Sequence, residues 1–201
     1  MKTNSLCFSE VVQSSLEQWK AQTWKWDNFP QFGSIVTIES GKRTIFGVVF
    51  QVQTGSLDPI HAPVAYQKTE EELKSEQPQI FEFLKTTFDC LTIGYKENGK
   101  FFYTLAPEPP KIHAFVSKTT SDMAKSFLHS NQYLHLLFGH ENKLGNIDEL
   151  LLAILKFKAS KTTLTQESIE KFSQTFSLIT GNDYRRLKLF LLRAQNIFIN
   201  N

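Results

Sequence analysis

The sequence predicts an α+β fold in which strands come first and helices follow. Two hairpin patterns with alternating apolar residues lie before residue 118, whereas later segments repeat apolar residues at helical spacing. With 201 residues, 41% of them hydrophobic, the chain can bury a core without disulfide or metal support. Several short strands of this kind are typical of a small β-barrel or a β-sandwich.

The amino-terminal segment fits two patterns. Leu16 and Trp19 fit a helical stripe, while residues 16–24 also fit a strand, so periodicity alone leaves both open. Trp24 and Trp26 lie in the same region, and these tryptophans are either core residues or interface anchors.

The two hairpins are predicted from their turns. The first spans residues 33–53 and turns at residues 39–42, between two runs of alternating side chains. In the second, Asn98-Gly99 supplies the positive φ angles that a tight turn requires. Prolines 107, 109 and 110 end this hairpin and set off a last short strand over residues 112–116.

Between the hairpins, residues 58–86 are predicted to form a helical insert. Thr69 stands three residues before Glu72, which is the spacing of a capping box, so a first helix covers residues 70–76. Pro78 fits the first turn of a second helix, which runs into the next strand near Thr87. At helical spacing the buried side of that second helix carries Ile80, Phe81, Leu84 and Phe88.

Beyond residue 117 the sequence predicts four amphipathic helices. They cover residues 121–138, 147–157, 166–179 and 183–198. We interpret residues 118–201 as a helical carboxy-terminal domain or as a cap on the strands, and the pattern does not decide between the two.

Charge, cysteines and hydropathy exclude several classes of protein. The 22 Lys and Arg residues exceed the 20 Asp and Glu residues by only two, unlike a protein that coats nucleic acid. Cys7 and Cys90 fit buried thiols of a reduced protein. No apolar run approaches the roughly 20 residues of a membrane helix. We therefore expect a cytoplasmic protein that does not contact a membrane.

The sequence offers no constellation for catalysis. The run at residues 41–44, Gly-Lys-Arg-Thr, has a lysine but no upstream glycine loop to hold phosphates. None of the five histidines pairs with another histidine or cysteine at the short spacing of a zinc site. Cys90 beside Phe88 is more typical of an inert core thiol than of a nucleophile. We expect no enzyme activity, no cofactor and no bound metal.

Three stretches occur in an order that resembles the standalone HAS-barrel proteins, best represented in cyanobacteria. They are residues 33–62, 70–95 and 105–116, and they include Gly47-Val48-Val49, the Gln77-Pro78-Gln79-Ile80-Phe81 patch and the proline cluster. The family name joins the HerA helicase and ATP synthase, hexameric ATPases with a related amino-terminal β-barrel. The chain departs from the pattern at residues 62–64, Ala-Pro-Val, where a more basic stretch is expected.

The resemblance implies a small closed β-barrel over residues 1–117, with the amino-terminal segment as barrel strand. It also implies a role in assembly. In HerA the barrel forms a collar that helps to engage the nuclease NurA, and in ATP synthase it forms a crown that holds the hexamer. Neither barrel hydrolyses nucleotide itself.

We therefore predict a non-catalytic docking subunit for a separate hexameric ATPase of the HerA/FtsK type, with or without a NurA-like nuclease, in DNA processing or repair. The prediction is compatible with an oligomer of this subunit, and any contact with nucleic acid would be indirect. Phe83 points away from the Ile80 side of the predicted helix. The predicted contact surface consists of Gln79, Phe81 and Phe83.

The alternative is a module that binds nucleic acid directly through a basic helical face. Phosphate contacts by lysine and arginine would make such binding depend on salt. The residues predicted for this face are Lys156, Lys158, Lys161, Arg185 and Arg186.

Overall fold

The computed structural model describes residues 6–58 and 63–199, and its strands form a closed six-stranded antiparallel β-barrel with one additional strand. Around the barrel the strands follow the order β1-β2-β5-β4-β3-β7, and β7 pairs with β1 to close it. The additional strand, β6, pairs with the second half of β5. The strands are β1 (Cys7–Ser14), β2 (Gln18–Thr23), β3 (Ile35–Ser40), β4 (Arg43–Ser56), β5 (Leu84–Glu97), β6 (Lys100–Phe102) and β7 (Phe115–Lys118).

Both predicted hairpins are confirmed. The β3–β4 turn lies between the paired residues Ser40 and Arg43. The β5–β6 turn places Asn98 at φ 50° and Gly99 at φ 80°, as a two-residue turn between right-twisted strands requires. The amino-terminal segment forms β1 and β2, so the strand alternative is the correct one.

The last predicted strand begins later than expected. Residues 112–114 form a turn in which the Ala114 amide donates to the Lys111 carbonyl. His113 has φ 65°, a left-handed conformation that cannot continue a strand. The strand predicted at residue 112 therefore starts at Phe115.

The insert contains two short helices, α1 (Glu70–Glu76) and α2 (Gln79–Glu82). The first has the predicted bounds and the predicted capping box at Thr69. The prediction for the second was wrong, because α2 ends at Glu82 and Leu84 already pairs with Ser56 in the β4–β5 ladder. Phe88 is buried in the barrel through β5 and not through a helix.

Five helices follow the barrel: α3 (Ser121–Leu128), α4 (Tyr133–Gly139), α5 (Ile147–Ala159), α6 (Gln166–Ile179) and α7 (Tyr184–Ile199). The single helix predicted over residues 121–138 is therefore two helices. The break lets Phe127 at the end of α3 and Tyr133 at the start of α4 both reach the same buried cluster. None of the described helices combines the length and the apolar character that a membrane crossing needs.

The central strands are buried on both faces. Val36 of β3 and Val49 of β4 contribute to the cluster inside the barrel, together with Trp19 and Phe88. Ile35, Phe46, Val48, Leu91 and Ile93 belong to a second and larger cluster with buried residues of α3 to α7. The alternation of side chains along a strand thus supplies two cores. The boundary predicted after residue 117 separates strands from helices along the chain. The larger cluster contains residues from both sides of this boundary.

Two glycines allow close approaches in this packing. A methyl group on Gly47 would lie 2.5 Å from the indole ring of Trp19 inside the barrel. Gly33 has φ +78°, and its added Cβ would lie 2.3 Å from that of Ala153 on α5. The second contact lies where the chain enters β3, so it joins the barrel to the helices.

Candidate functional site

An apolar groove of about 600 Å³ lies where the insert leaves and re-enters the barrel. We call it the docking groove, and we define the insert as residues 57–83. The walls of the groove come from the end of β4, residues 63–66, both insert helices and the first residue of β5. Eight of its lining residues are apolar or aromatic and two are polar: Pro63, Val64, Tyr66, Leu73, Ile80, Phe81, Phe83 and Leu84, with Ser56 and Asp58.

The insert is held at its base by the β4–β5 ladder. Ser56 and Leu84 are the last paired residues of that ladder. Beyond them, the Leu57 amide donates to the Phe83 carbonyl at 2.7 Å. The two ends of the insert therefore lie side by side, and Phe83 has a fixed backbone position at the rim of the groove.

Phe81 is anchored to the barrel. Its ring stacks on Trp26 with centroids 5.5 Å apart, and the Lys74 ammonium lies 5.7 Å from its centroid. The Trp26 carbonyl accepts a hydrogen bond from the Thr86 hydroxyl of β5. This chain of contacts fixes one face of Phe81, so the residue is part of the groove wall and is half-buried.

Phe83 is the more accessible of the two phenylalanines. Its side chain is 59% exposed, and it makes no aromatic contact with any residue between 6 and 58 or 63 and 199. Val64, at 70% exposed, and Tyr66 contribute further apolar surface to the same groove. Contiguous exposed apolar surface of this kind is typical of a binding site.

The predicted contact residues divide between the groove and its surroundings. Phe81 and Phe83 line it, whereas Gln79 is exposed on α2 outside the lining residues. The prediction missed Val64, Tyr66 and Leu73. Leu73 could have been predicted from the sequence, because it is the single apolar side chain in α1. In the structure that helix has no buried residue.

The stretch that supplies most of the groove is acidic in sequence. Residues 63–84 contain five glutamates and two lysines, and these glutamates flank the lining residues along the chain without lining the groove themselves. Lys68 pairs with Glu76 and Lys74 with Glu70, which leaves Glu71, Glu72 and Glu82 in excess. Hydrogen bonds from the backbone N–H and hydroxyl of Thr69 lower the pKa of Glu72, so this carboxylate stays charged near neutral pH.

The five residues of the predicted basic face have different surroundings. The Lys158 side chain is buried, and Lys161 lies over the ring of Phe157. Arg186 donates to Glu141 and Asp148 at 2.7 and 3.0 Å. It also lies over the rings of Phe138 and Phe176. Lys156 and Arg185 are exposed.

The described residues bring no metal-binding cluster together. In residues 6–58 and 63–199, no three His, Cys, Asp or Glu side chains meet as metal ligands would. Cys90 is fully buried, and desolvation raises the pKa of its thiol well above the ordinary value. His113 is exposed and pairs with Glu10, while His61 lies outside the described residues.

Two comparisons with known proteins find no match. No protein-family model matches the chain, and the search of curated proteins finds no similar sequence.

Proposed function

We propose that this protein is a non-catalytic docking subunit whose groove receives a short segment of a partner protein. The observation that carries the proposal is the exposure of Phe83 and Val64 in an apolar groove. Because the Phe83 side chain is 59% exposed, covering it contributes about 1–2 kcal/mol to binding. Phe81 and the paired strand ends hold part of the groove wall in place, which reduces the ordering that opposes this gain.

The excess of glutamates in the insert is the basis for the charge that we expect of the bound segment. An apolar segment flanked by lysine or arginine would place its apolar side chains in the groove and its charges near Glu71, Glu72 and Glu82. Complementary charge at the rim of an interface speeds association and selects the partner. We therefore expect a basic, amphipathic segment as the occupant.

The class of partner comes from the resemblance to the HAS-barrel proteins. A closed six-stranded barrel is compatible with that family, in which related barrels assemble with hexameric ATPases. We propose a ring-forming ATPase of the HerA/FtsK type as the partner, with or without a NurA-like nuclease, in cytoplasmic DNA processing or repair. In this proposal the ATPase hydrolyses nucleotide and contacts DNA, while this chain supplies the connection.

Direct binding of nucleic acid stays a prediction with weaker support. The burial of Lys158 and the two ion pairs of Arg186 remove these residues from any continuous basic surface. Lys156, Lys161 and Arg185 would have to supply the phosphate contacts.

The test is affinity purification of the tagged protein from its own cells, after nuclease treatment, with mass spectrometry of the proteins retained. We expect the unmodified chain to retain a ring-forming ATPase. Phe83→Ala should reduce its recovery about five- to thirtyfold, because the lost burial of roughly 1–2 kcal/mol lowers the affinity by that factor.

The matched control is Leu178→Ala. Leu178 is 74% exposed on α6 and does not line the groove, so its loss removes a comparable apolar surface elsewhere. Full recovery of the ATPase with this variant is expected. Equal losses with both variants, or undiminished recovery with Phe83→Ala, would contradict the groove as the docking surface.

A further inference from the structure

A lysine is buried in the helical region without a partner. Lys158 lies in the last turn of α5 and is 6% exposed. Its ammonium group makes no hydrogen bond or ion pair with residues 6–58 or 63–199, and it is not one of the fully enclosed polar atoms, so it keeps access to solvent through the pocket that it lines. Desolvation lowers its pKa, as expected for an ammonium group without a nearby counter-charge. Buried charges in proteins are ordinarily paired, so this one requires an explanation.

The side chain lines a cavity of about 300 Å³ between the end of α5 and the start of α6. We call it the α5–α6 pocket. Lys125 and His129, from α3 and the turn that follows it, also line the pocket. The pocket is therefore large enough for a small polar molecule, and two of its lining residues, Lys125 and Lys158, are lysines from outside α6.

The amino terminus of α6 also lines the pocket, through Thr165, Glu167 and Ser168. Thr165 caps this 14-residue helix by accepting a hydrogen bond from the Ser168 amide. The first amides of a helix have no intrahelical acceptor, so those of Gln166 and Glu167 face outward from its positive end. Backbone amides at such a position are suited to an anion.

The acidic residue of the pocket does not neutralise these groups. Glu167 accepts a hydrogen bond from Lys171 at 2.6 Å, and this bond lowers its pKa, so the two charges offset each other. Lys158 and Lys125 remain as uncompensated cations. Asn131 also lines the pocket, and its side-chain oxygen Oδ1 is buried without a hydrogen-bond partner. An amide oxygen only accepts, so Asn131 would donate to an anion only after its amide has flipped to exchange the oxygen and the nitrogen.

We propose that the α5–α6 pocket binds a phosphate group, either as inorganic phosphate or on a small phosphate monoester. Lys158 is the central ligand, Lys125 supplies a second positive charge, and the Gln166 and Glu167 amides donate to the remaining oxygens. A phosphate dianion matches this set because two cations and several donors converge on one volume. The site is independent of the docking groove, so either proposal can fail without the other.

The test is calorimetric titration of the intact chain with inorganic phosphate and, separately, with glycerol 3-phosphate at constant ionic strength. The variant is Lys158→Met, which fills the buried site with an uncharged side chain of similar length. Its matched control is Lys156→Met, which removes an exposed lysine from the same turn of α5. We expect Lys158→Met to weaken binding at least about tenfold and Lys156→Met to change it less than about twofold.

Thermal melting gives a readout that does not depend on the calorimetry. Phosphate should raise the melting temperature of the unmodified chain and of Lys156→Met, since a ligand that binds only the folded state stabilises it. Lys158→Met should lose this response and should melt, without phosphate, no lower than the unmodified chain, because a buried unpaired charge has been removed. If Lys158→Met stays folded, its loss of binding can be assigned to the missing ammonium group.

The site is supported if either anion binds and if Lys158→Met weakens that binding as predicted. The anion that binds more tightly identifies the source of the phosphate group. The backbone amide resonances of Gln166 and Glu167 should then shift on titration. The proposal is overturned if neither anion binds below about 10 mM, or if Lys156→Met and Lys158→Met lose affinity equally.

Discussion

At the scale of single residues, the interior of the barrel leaves no room beside Trp19. Gly47→Ala would place a methyl group 2.5 Å from the indole ring, so the ring or the strand must move. We expect this substitution to lower the free energy of unfolding by about 1–3 kcal/mol, the usual cost of overpacking a core. Urea unfolding followed by tryptophan fluorescence measures it.

The same strand provides the control for this prediction. A methyl group on Gly55, also in β4, meets no atom within 4 Å. Gly55→Ala should therefore change the free energy of unfolding by no more than about 0.5 kcal/mol. Similar losses from both substitutions would mean that strand propensity, and not contact with Trp19, explains the effect.

Some residue roles follow from the sequence and others depend on distant contacts. The Asn98-Gly99 turn could be predicted because the two residues determine their own backbone conformation. The burial of Lys158 could not, because lysine at the end of a helix is ordinarily exposed and its burial depends on tertiary packing. Phe83 was predicted from an excess of apolar side chains, whereas Val64 and Tyr66 lacked any periodic signal.

At the scale of elements, helix α1 depends on its cap. It has no buried residue, so packing contributes little to it and the Thr69–Glu72 capping box carries much of its stability. Thr69→Ala should destabilise α1 locally by about 1 kcal/mol and leave global unfolding almost unchanged. The measurement is the set of Cα chemical shifts of residues 70–76, with those of α5 as the internal control. Unchanged shifts in α1 would show that the cap is dispensable.

The same capping box predicts a pH dependence. The pKa of Glu72 is lower in the folded chain, because the Thr69 N–H and hydroxyl donate to its carboxylate. Its contribution is fully present above the unfolded pKa of glutamate and is lost as the pH falls through the lowered value. The α1 shifts of the unmodified chain should therefore approach those of Glu72→Ala in acid, because that variant lacks the carboxylate at every pH. An equal pH response of the α1 shifts in Glu72→Ala would contradict this assignment.

Element boundaries were predictable where local signals determine them. Thr69 and Glu72 determine the start of α1, and the prediction was confirmed. The end of α2 was predicted wrongly, because the pairing of Leu84 with Ser56 is long-range and overrides the helical spacing of residues 80–88. The break between α3 and α4 likewise depends on the cluster that Phe127 and Tyr133 share.

At the scale of the whole molecule, the larger core contains residues of both the barrel and the helices, and we expect it to make them one cooperative unit. Its members include Phe46 and Leu91 from the barrel and Phe172 and Phe190 from the helices. All three tryptophans lie in the first 26 residues, whereas circular dichroism at 222 nm reports mainly on α3 to α7. We expect the fluorescence and dichroism transitions in urea to coincide. A separate, earlier loss of dichroism would instead indicate an independent helical domain.

The closure of the insert at its base has a consequence for evolution. Residues 57–83 start and finish on neighbouring strands, joined by the Leu57–Phe83 hydrogen bond. The entropy of closing such a loop grows only slowly with its length, so lineages can lengthen, shorten or exchange this segment with little effect on the β4–β5 register. In the docking role that we propose, selection could thus change partner specificity in one continuous stretch of the gene, while the residues that fill the barrel evolve under a separate constraint.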